Sequence, residues 1–84
     1  MKISFSERAW EGYLYWQTHD TKMLKRINAL IKETSRSPFE GTGKPEPLRN
    51  ELSGWWSRRI DQEHRLVYRA TDTTLEIVQC RLHY

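Results

Sequence analysis

Cysteine is almost missing: Cys80 is the single one in 84 residues. No disulfide can close within the chain, and nothing points to an oxidising compartment. The histidines His19, His64 and His83 stand far apart and no Cys-x-x-Cys pair exists, so no metal site and no cofactor is expected. No apolar run approaches the ~18 residues that a membrane-spanning helix needs. The opening "MKISFSERAW" also lacks the apolar stretch of at least ~7 residues found in a secretory leader. A cytoplasmic protein that engages no membrane is the expectation.

Lysine is missing beyond Lys44, where the six cations are Arg49, Arg58, Arg59, Arg65, Arg69 and Arg81. The charge is spread rather than gathered into a tail: residues 1–43 hold seven Lys/Arg against five Asp/Glu, and residues 44–84 hold seven against six, for a net +3. What changes along the chain is the kind of base. Arginine's planar fork suits phosphate, whereas lysine solvates a surface equally well.

What is present describes one domain spanning residues 1–84. With 37% hydrophobic and 30% charged residues the chain is globular, not disordered. A domain this small buries somewhat over ~60% of its unfolded surface, so its core is marginal and a partner could stabilise it.

"KISF" reads as a short strand and Ser6 as a helix cap. Ala9, Trp10, Tyr13, Leu14 and Trp16 make a helical stripe over residues 7–17, with Gly12 a mild cost. Asp20 can cap a second helix, in which Met23, Leu24, Ile27, Leu30, Ile31 and Thr34 recur at helical spacing. The proline- and glycine-bearing stretch 35–47, "SPFEGTGKPEP" at its end, stops this helix. Beyond it "WWSRRI", "RLVYRA" and "LEIVQCRLHY" are strands separated by the tight links "DQEH" and "TDTT". The expected fold is α+β, a helix hairpin packed on one face of a small twisted antiparallel sheet.

Alternation assigns faces. Leu66, Tyr68 and Ala70 share one face, expected to pack under the helices with Val78, Cys80, Leu82 and Tyr84. The other face collects Arg65, Arg81 and His83, together with Arg59 if parity carries through the hairpin. Arg58 falls with Trp56 and Ile60 on the apolar face, which implies an edge position or a bulge. His83, on this reading, ends a core-anchored strand and is held far better than a side chain on a tail.

Glu46 lies in "KPEPL", where flanking prolines stiffen the backbone and present a carboxylate just ahead of the sheet. A fixed carboxylate, several arginines and a histidine are the parts needed for metal-free RNA cleavage. The carboxylate takes the proton of a ribose 2′-hydroxyl, arginine stabilises charge on the phosphate, and imidazolium protonates the leaving 5′-oxygen. Ser53 and Ser57 have no base at motif spacing, and Cys80 reads as a small buried hydrophobe. His19 and His64 read as loop and turn residues. "GTGK" lacks the spacing of a phosphate loop. Trp55 and Trp56 could stack on bases, core packing being the expected use of at least one.

The stretches "GKPEPL", "WSRRI", "EHRLVY" and "CRLHY", with "FSERAWEGYLYWQ" and "LKRINALIKET", resemble the YoeB toxins of the RelE/ParE superfamily along the whole chain. The resemblance implies a RelE-like, microbial-ribonuclease-like fold. It also implies the toxin of a type II toxin–antitoxin system, a ribosome-dependent endoribonuclease that cuts mRNA in the A site to leave a 2′,3′-cyclic phosphate and a 5′-hydroxyl. Glu46 becomes the general base, His83 the general acid and Arg65 the stabiliser of the scissile phosphate. Arg59 and Arg49 would hold RNA, Glu63 would orient the arginines, and Tyr84 would shape the pocket. Position 49 departs from the family's frequent lysine. Implied partners are a YefM-like antitoxin with an acidic and apolar disordered segment, and a second copy in a homodimer. Two rivals stand beside this: a ParE-like toxin that binds DNA gyrase without cutting RNA, and a plain RNA-binding module. ParE-like members lack the Glu and terminal His pair.

Overall fold

Two side-chain caps build the helical layer. In this computed structural model, which describes residues 1–82, Ser6 Oγ accepts the Ala9 N–H at 3.1 Å and opens α1 (Glu7–His19). Asp20 serves both helices: its backbone N–H donates to Trp16 O at 2.8 Å, ending α1, and its carboxylate accepts the Met23 N–H at 3.1 Å, starting α2 (Thr21–Arg36). One residue thus makes the hairpin turn. His83 and Tyr84, which carry two of the expected site roles, lie outside the described residues.

The strands are β1 (Lys2–Phe5), β2 (Glu46–Pro47), β3 (Trp56–Arg59), β4 (Arg65–Ala70) and β5 (Thr74–Gln79), in spatial order β1-β5-β4-β3-β2. The expected α+β layering holds, with one addition: β1 pairs with β5 in parallel, Lys2 opposite Thr74 through Phe5 opposite Ile77, so the sheet is mixed. Crossing back through α1 and α2 and then the hairpins brings the first strand beside the last.

The core lies between helices and sheet. Ala9, Ile27, Leu66, Tyr68, Leu75 and Ile77 are fully buried there, joined by Leu30, Ile31 and Ile60. Each large side chain among them contributes about 1.5–3 kcal/mol by leaving water. Around the rim, Phe5, Trp10 and Tyr13 form an aromatic ladder, with Trp10 and Tyr13 stacked at 5.6 Å.

Parity in the final strand differs from expectation. Tyr68 opposes Ile77 and Val67 opposes Gln79, leaving Val78 unopposed in a bulge. Leu75 and Ile77 therefore face the helices, and Val78 does not fill that role. The strand also stops at Gln79 and does not run to residue 84. Leaving the sheet lets Cys80 turn into the core, where its Sγ lies 3.3 Å from Ala9 O and burial pushes the thiol up to about 11. Leu82 is half-exposed, with a left-handed φ of 68°, and does not join the core.

Arg58 is a second correction. It sits neither at an edge nor at a bulge, because Arg58 opposes Leu66 in regular register and is fully buried on the helix face. Its guanidinium meets Glu33 Oε2 at 2.8 Å, Tyr68 OH at 3.1 Å and the carbonyls of Ser37, Glu40 and Thr42. Tyr68 OH in turn donates to Pro38 O at 2.6 Å. A buried charge is tolerable only when so fully partnered. The 37–42 loop is thereby pinned to the sheet.

Candidate functional site

Glu46 reaches the sheet because two contacts lock the loop before it. Arg59 N–H donates to Gly43 O at 2.7 Å, and a Cβ at residue 43 would come within 2.7 Å of Arg59 O. With φ at +87° as well, only glycine suits this position, which explains "GTGK" without phosphate binding. Glu46 then opposes Ser57 and Pro47 opposes Trp56, and Leu48 N–H donates to Trp55 O at 2.9 Å. Pro47 is tolerated because β2 is an edge strand.

Directly opposed residues share a face. One row runs Glu46–Ser57–Val67–Gln79, and the next pairs Arg59 with Arg65. All six point away from the helices. Ser57, Val67 and Gln79 are buried and form an uncharged floor. Glu46 and Arg59 are exposed beside it, and Arg65 is half-buried. Glu46 and Arg49 further share an open cleft of ≈ 480 Å³ with Pro47, Leu48, Asn50 and Leu52. Arg59 and Arg65 thus share a face as alternation expected, and the pairing of β2 adds Glu46 to it, with Arg49 at its margin.

Arg65 is aimed by backbone. Its Nη1 donates to the carbonyls of Asp61, Gln62 and His64 at 3.0, 3.3 and 3.1 Å, and the rest of the fork has no hydrogen-bond partner among the described residues. The 61–64 turn is itself closed by Asp61, whose Oδ1 accepts the N–H groups of Glu63 and His64 at 2.9 and 2.7 Å. Burial alone would raise the Asp61 carboxyl, but these amides outweigh it and hold it below the usual range. Glu63 is exposed, with Oε1 3.6 Å from His64 Nε2. Arg49, Arg59 and Arg65 enter no ion pair among the described residues. Uncompensated guanidinium groups around a carboxylate are suited to a phosphodiester.

Arg81 departs from the expected group. The bend after Gln79 sends its guanidinium onto Tyr15 of α1, 3.5 Å from the ring centroid, away from Arg65. Trp55 and Trp56 divide: Trp56 packs on the core and on Phe39 at 4.7 Å, while Arg69 stacks on Trp55 at 4.4 Å.

Two residues escaped sequence reasoning. Gly12 is buried, and a Cβ there would stand 3.3 Å from Arg81 Cβ and 3.4 Å from Cys80 Sγ, so the glycine lets α1 approach the segment after β5. His64 is more than a turn residue: it is buried, edge-on to Trp16 at 4.8 Å, with Nδ1 2.8 Å from Leu82 N. No periodicity marks either position, since both serve contacts 18 or more residues away in sequence.

Against known proteins, a family model described as "YoeB-like toxin of bacterial type II toxin-antitoxin system" matches residues 5–84. The chain is 61% identical to "Toxin YoeB" of Escherichia coli (strain K12) over 84 residues, covering all of both chains. Among solved structures, a YoeB/ParE toxin from Agrobacterium tumefaciens superposes with a TM-score of 0.96 at 48% identity, with both chains fully covered. YoeB of Staphylococcus aureus, as a dimer and in a heterotetrameric YoeB–YefM complex, gives 0.93 and 0.92, each at 48% identity and covering 100% of this chain and 98% of the other. Fold, full-length identity and the family match agree: this chain belongs to the YoeB-like toxins of bacterial type II toxin–antitoxin systems.

Proposed function

We propose that the protein is an endoribonuclease that cuts mRNA in the ribosomal A site by acid–base chemistry, without a metal. The observation that carries this reading is the shared face of Glu46, Arg59 and Arg65 over an uncharged floor. Glu46 removes the proton from a ribose 2′-hydroxyl, and the resulting oxyanion attacks the adjacent phosphorus. Arg65, with Arg59 beside it, stabilises the added negative charge of the crowded phosphate. His83 protonates the departing 5′-oxygen, giving a 2′,3′-cyclic phosphate and a 5′-hydroxyl. His83 enters through the family resemblance and through its place directly after Leu82. Arg49 grips a neighbouring phosphate from the Glu46 cleft, Glu63 orients the arginine group and Tyr84 shapes the pocket. Each proton transfer is worth roughly 10²–10⁴-fold, and each preorganised charge contact several kcal/mol.

The same arginine face suits restraint by an antitoxin whose acidic, apolar, disordered segment folds upon it. The S. aureus YoeB structures with YefM and as a dimer support both an antitoxin partner and a homodimer for this chain.

The test is mapping of cellular mRNA 5′ ends after brief induction. The wild type should create new 5′-hydroxyl ends within reading frames, and Glu46→Gln and His83→Ala should remove them while folding normally. Growth arrest that persists in both variants would favour a gyrase-binding toxin instead. On programmed ribosomes the cleavage rate should be bell-shaped in pH, with one carboxylate and one imidazole limb.

A further inference from the structure

Burying an imidazole is costly where a leucine or phenylalanine would fill the space, so a buried histidine needs a reason. His64 is 8% exposed and stands between Trp16 on α1 and the segment that follows β5. Its Nδ1 lies 2.8 Å from the Leu82 amide nitrogen. A backbone N–H can only donate, so Nδ1 is the acceptor and bears no proton, and the ring proton resides on Nε2, on the side of Glu63.

Leu82 is held through its carbonyl too. Its carbonyl accepts Arg65 N–H at 3.1 Å and Gln79 Nε2–H at 2.9 Å. Two residues earlier, Trp16 Nε1–H donates to Cys80 O at 2.9 Å. Leu82 itself has φ 68°, a left-handed conformation that is costly for a non-glycine residue and persists only when its surroundings enforce it. Residues 64 and 65 thus grip Leu82 on both sides, the ring of one on its N–H and the amide of the other on its carbonyl. Leu82 immediately precedes His83 in sequence.

We propose that His64 is a positioning residue for His83: its unprotonated Nδ1 fixes the Leu82 amide, and with it the chain that leads into the general acid. This rests on the nuclease reading above. Because Arg65 would supply both a phosphate contact and half of this grip, the residue ahead of the acid shares a frame with the phosphate site, and a displacement of about 1 Å can cost about 10²-fold in rate.

The experiment compares two substitutions of nearly equal shape in the full-length toxin, His64→Asn and His64→Leu. Both lose the contact with Trp16, but only asparagine keeps an acceptor oxygen one bond beyond Cγ, where Nδ1 stood. Single-turnover cleavage is measured on intact ribosomes programmed with a labelled messenger, alongside the amide exchange rate of Leu82 and the unfolding midpoint. His64→Leu should lower kcat about 10²-fold with KM nearly unchanged and speed Leu82 exchange, while His64→Asn recovers most of both. The two variants should unfold at similar denaturant concentrations. Equal activity of the two variants, or unaltered Leu82 exchange in His64→Leu, overturns the proposal while leaving the nuclease reading intact. A His83→Ala toxin that cuts as fast as wild type overturns that reading, and the positioning role falls with it.

Discussion

Arg58 and Glu33 meet at 2.8 Å between β3 and α2, the guanidinium fully buried and the carboxylate reaching partway into water. The guanidinium also anchors the carbonyls of residues 37, 40 and 42. Truncating a buried charge of this kind strands its partners, which costs about 3–5 kcal/mol. Arg58→Ala should lose that much in urea unfolding. Arg58→Lys should recover little, because one ammonium cannot span a tyrosine hydroxyl, a carboxylate and three carbonyls.

Acid should weaken the fold through two carboxylates. Hydrogen bonds from the Thr42 backbone and hydroxyl, with Arg58, hold Glu33 below its ordinary 4.5, and the 61–64 turn holds Asp61 below its ordinary 3.8. A depressed folded value means stability that is complete above the unfolded value and disappears as pH falls through the folded one. Chemical unfolding at stepped pH should therefore show a loss below those ordinary values. Glu33→Gln and Asp61→Asn should each flatten it.

At the alkaline end the sign reverses for Cys80. Its thiol, pushed up to about 11, stabilises the fold fully below its unfolded value of about 8.5, and that contribution drains away as pH climbs toward 11. At pH 8 a thiol reagent should label the native protein only at the rate of unfolding. Cys80→Ala should remove part of the alkaline loss. Fast labelling of folded protein would contradict the burial described for this side chain.

Gly12→Val should disturb the segment after β5 while sparing Glu46. The added atoms press on Cys80 and Arg81, where even a Cβ stands at 3.3–3.4 Å, and overpacking of this sort costs about 1–3 kcal/mol. Amide shifts concentrated in residues 80–82, with those of β2 unmoved, are the expected NMR signature. Gly12→Ala sets a helix-propensity gain of about 1 kcal/mol against a milder squeeze, and should fall near wild type.

Arg59 is exposed and outside every ion pair among the described residues, so its contribution to RNA binding should be electrostatic. Arg59→Ala should weaken binding to single-stranded RNA and reduce the slope of log K against log salt by about 0.7. An unchanged slope would remove Arg59 from the phosphate contacts.

How far the sequence could be read depended on the range of the forces involved. The caps at Ser6 and Asp20 act within three residues, and the stripe on α2 repeats within its own helix, so both were legible. The common face of Arg59 and Arg65 followed from simple alternation, because the hairpin between β3 and β4 is regular, whereas the pairing of Glu46 with Ser57 did not. The bulge at Val78 was hidden: one unopposed residue shifts the parity of the strand and leaves no mark in composition, so Val78 was placed on the core face. Arg81 was misplaced because the strand ends at Gln79 and the chain bends there. Arg58 and His64 were illegible because what each side chain satisfies is assembled from distant parts of the chain. A buried polar group is defined by its partners, and local pattern cannot supply them.

The parallel pairing of β1 with β5 has a consequence for biosynthesis. Lys2 finds its partner Thr74 only 72 residues later in the chain. At about 5–20 residues per second, the nascent first strand waits several seconds with its hydrogen-bonding edge open. Through that interval the helices have no complete sheet to rest on, and the Glu46 edge has no finished floor beside it. The emerging polypeptide thus keeps its first strand unpaired until Thr74 has been added.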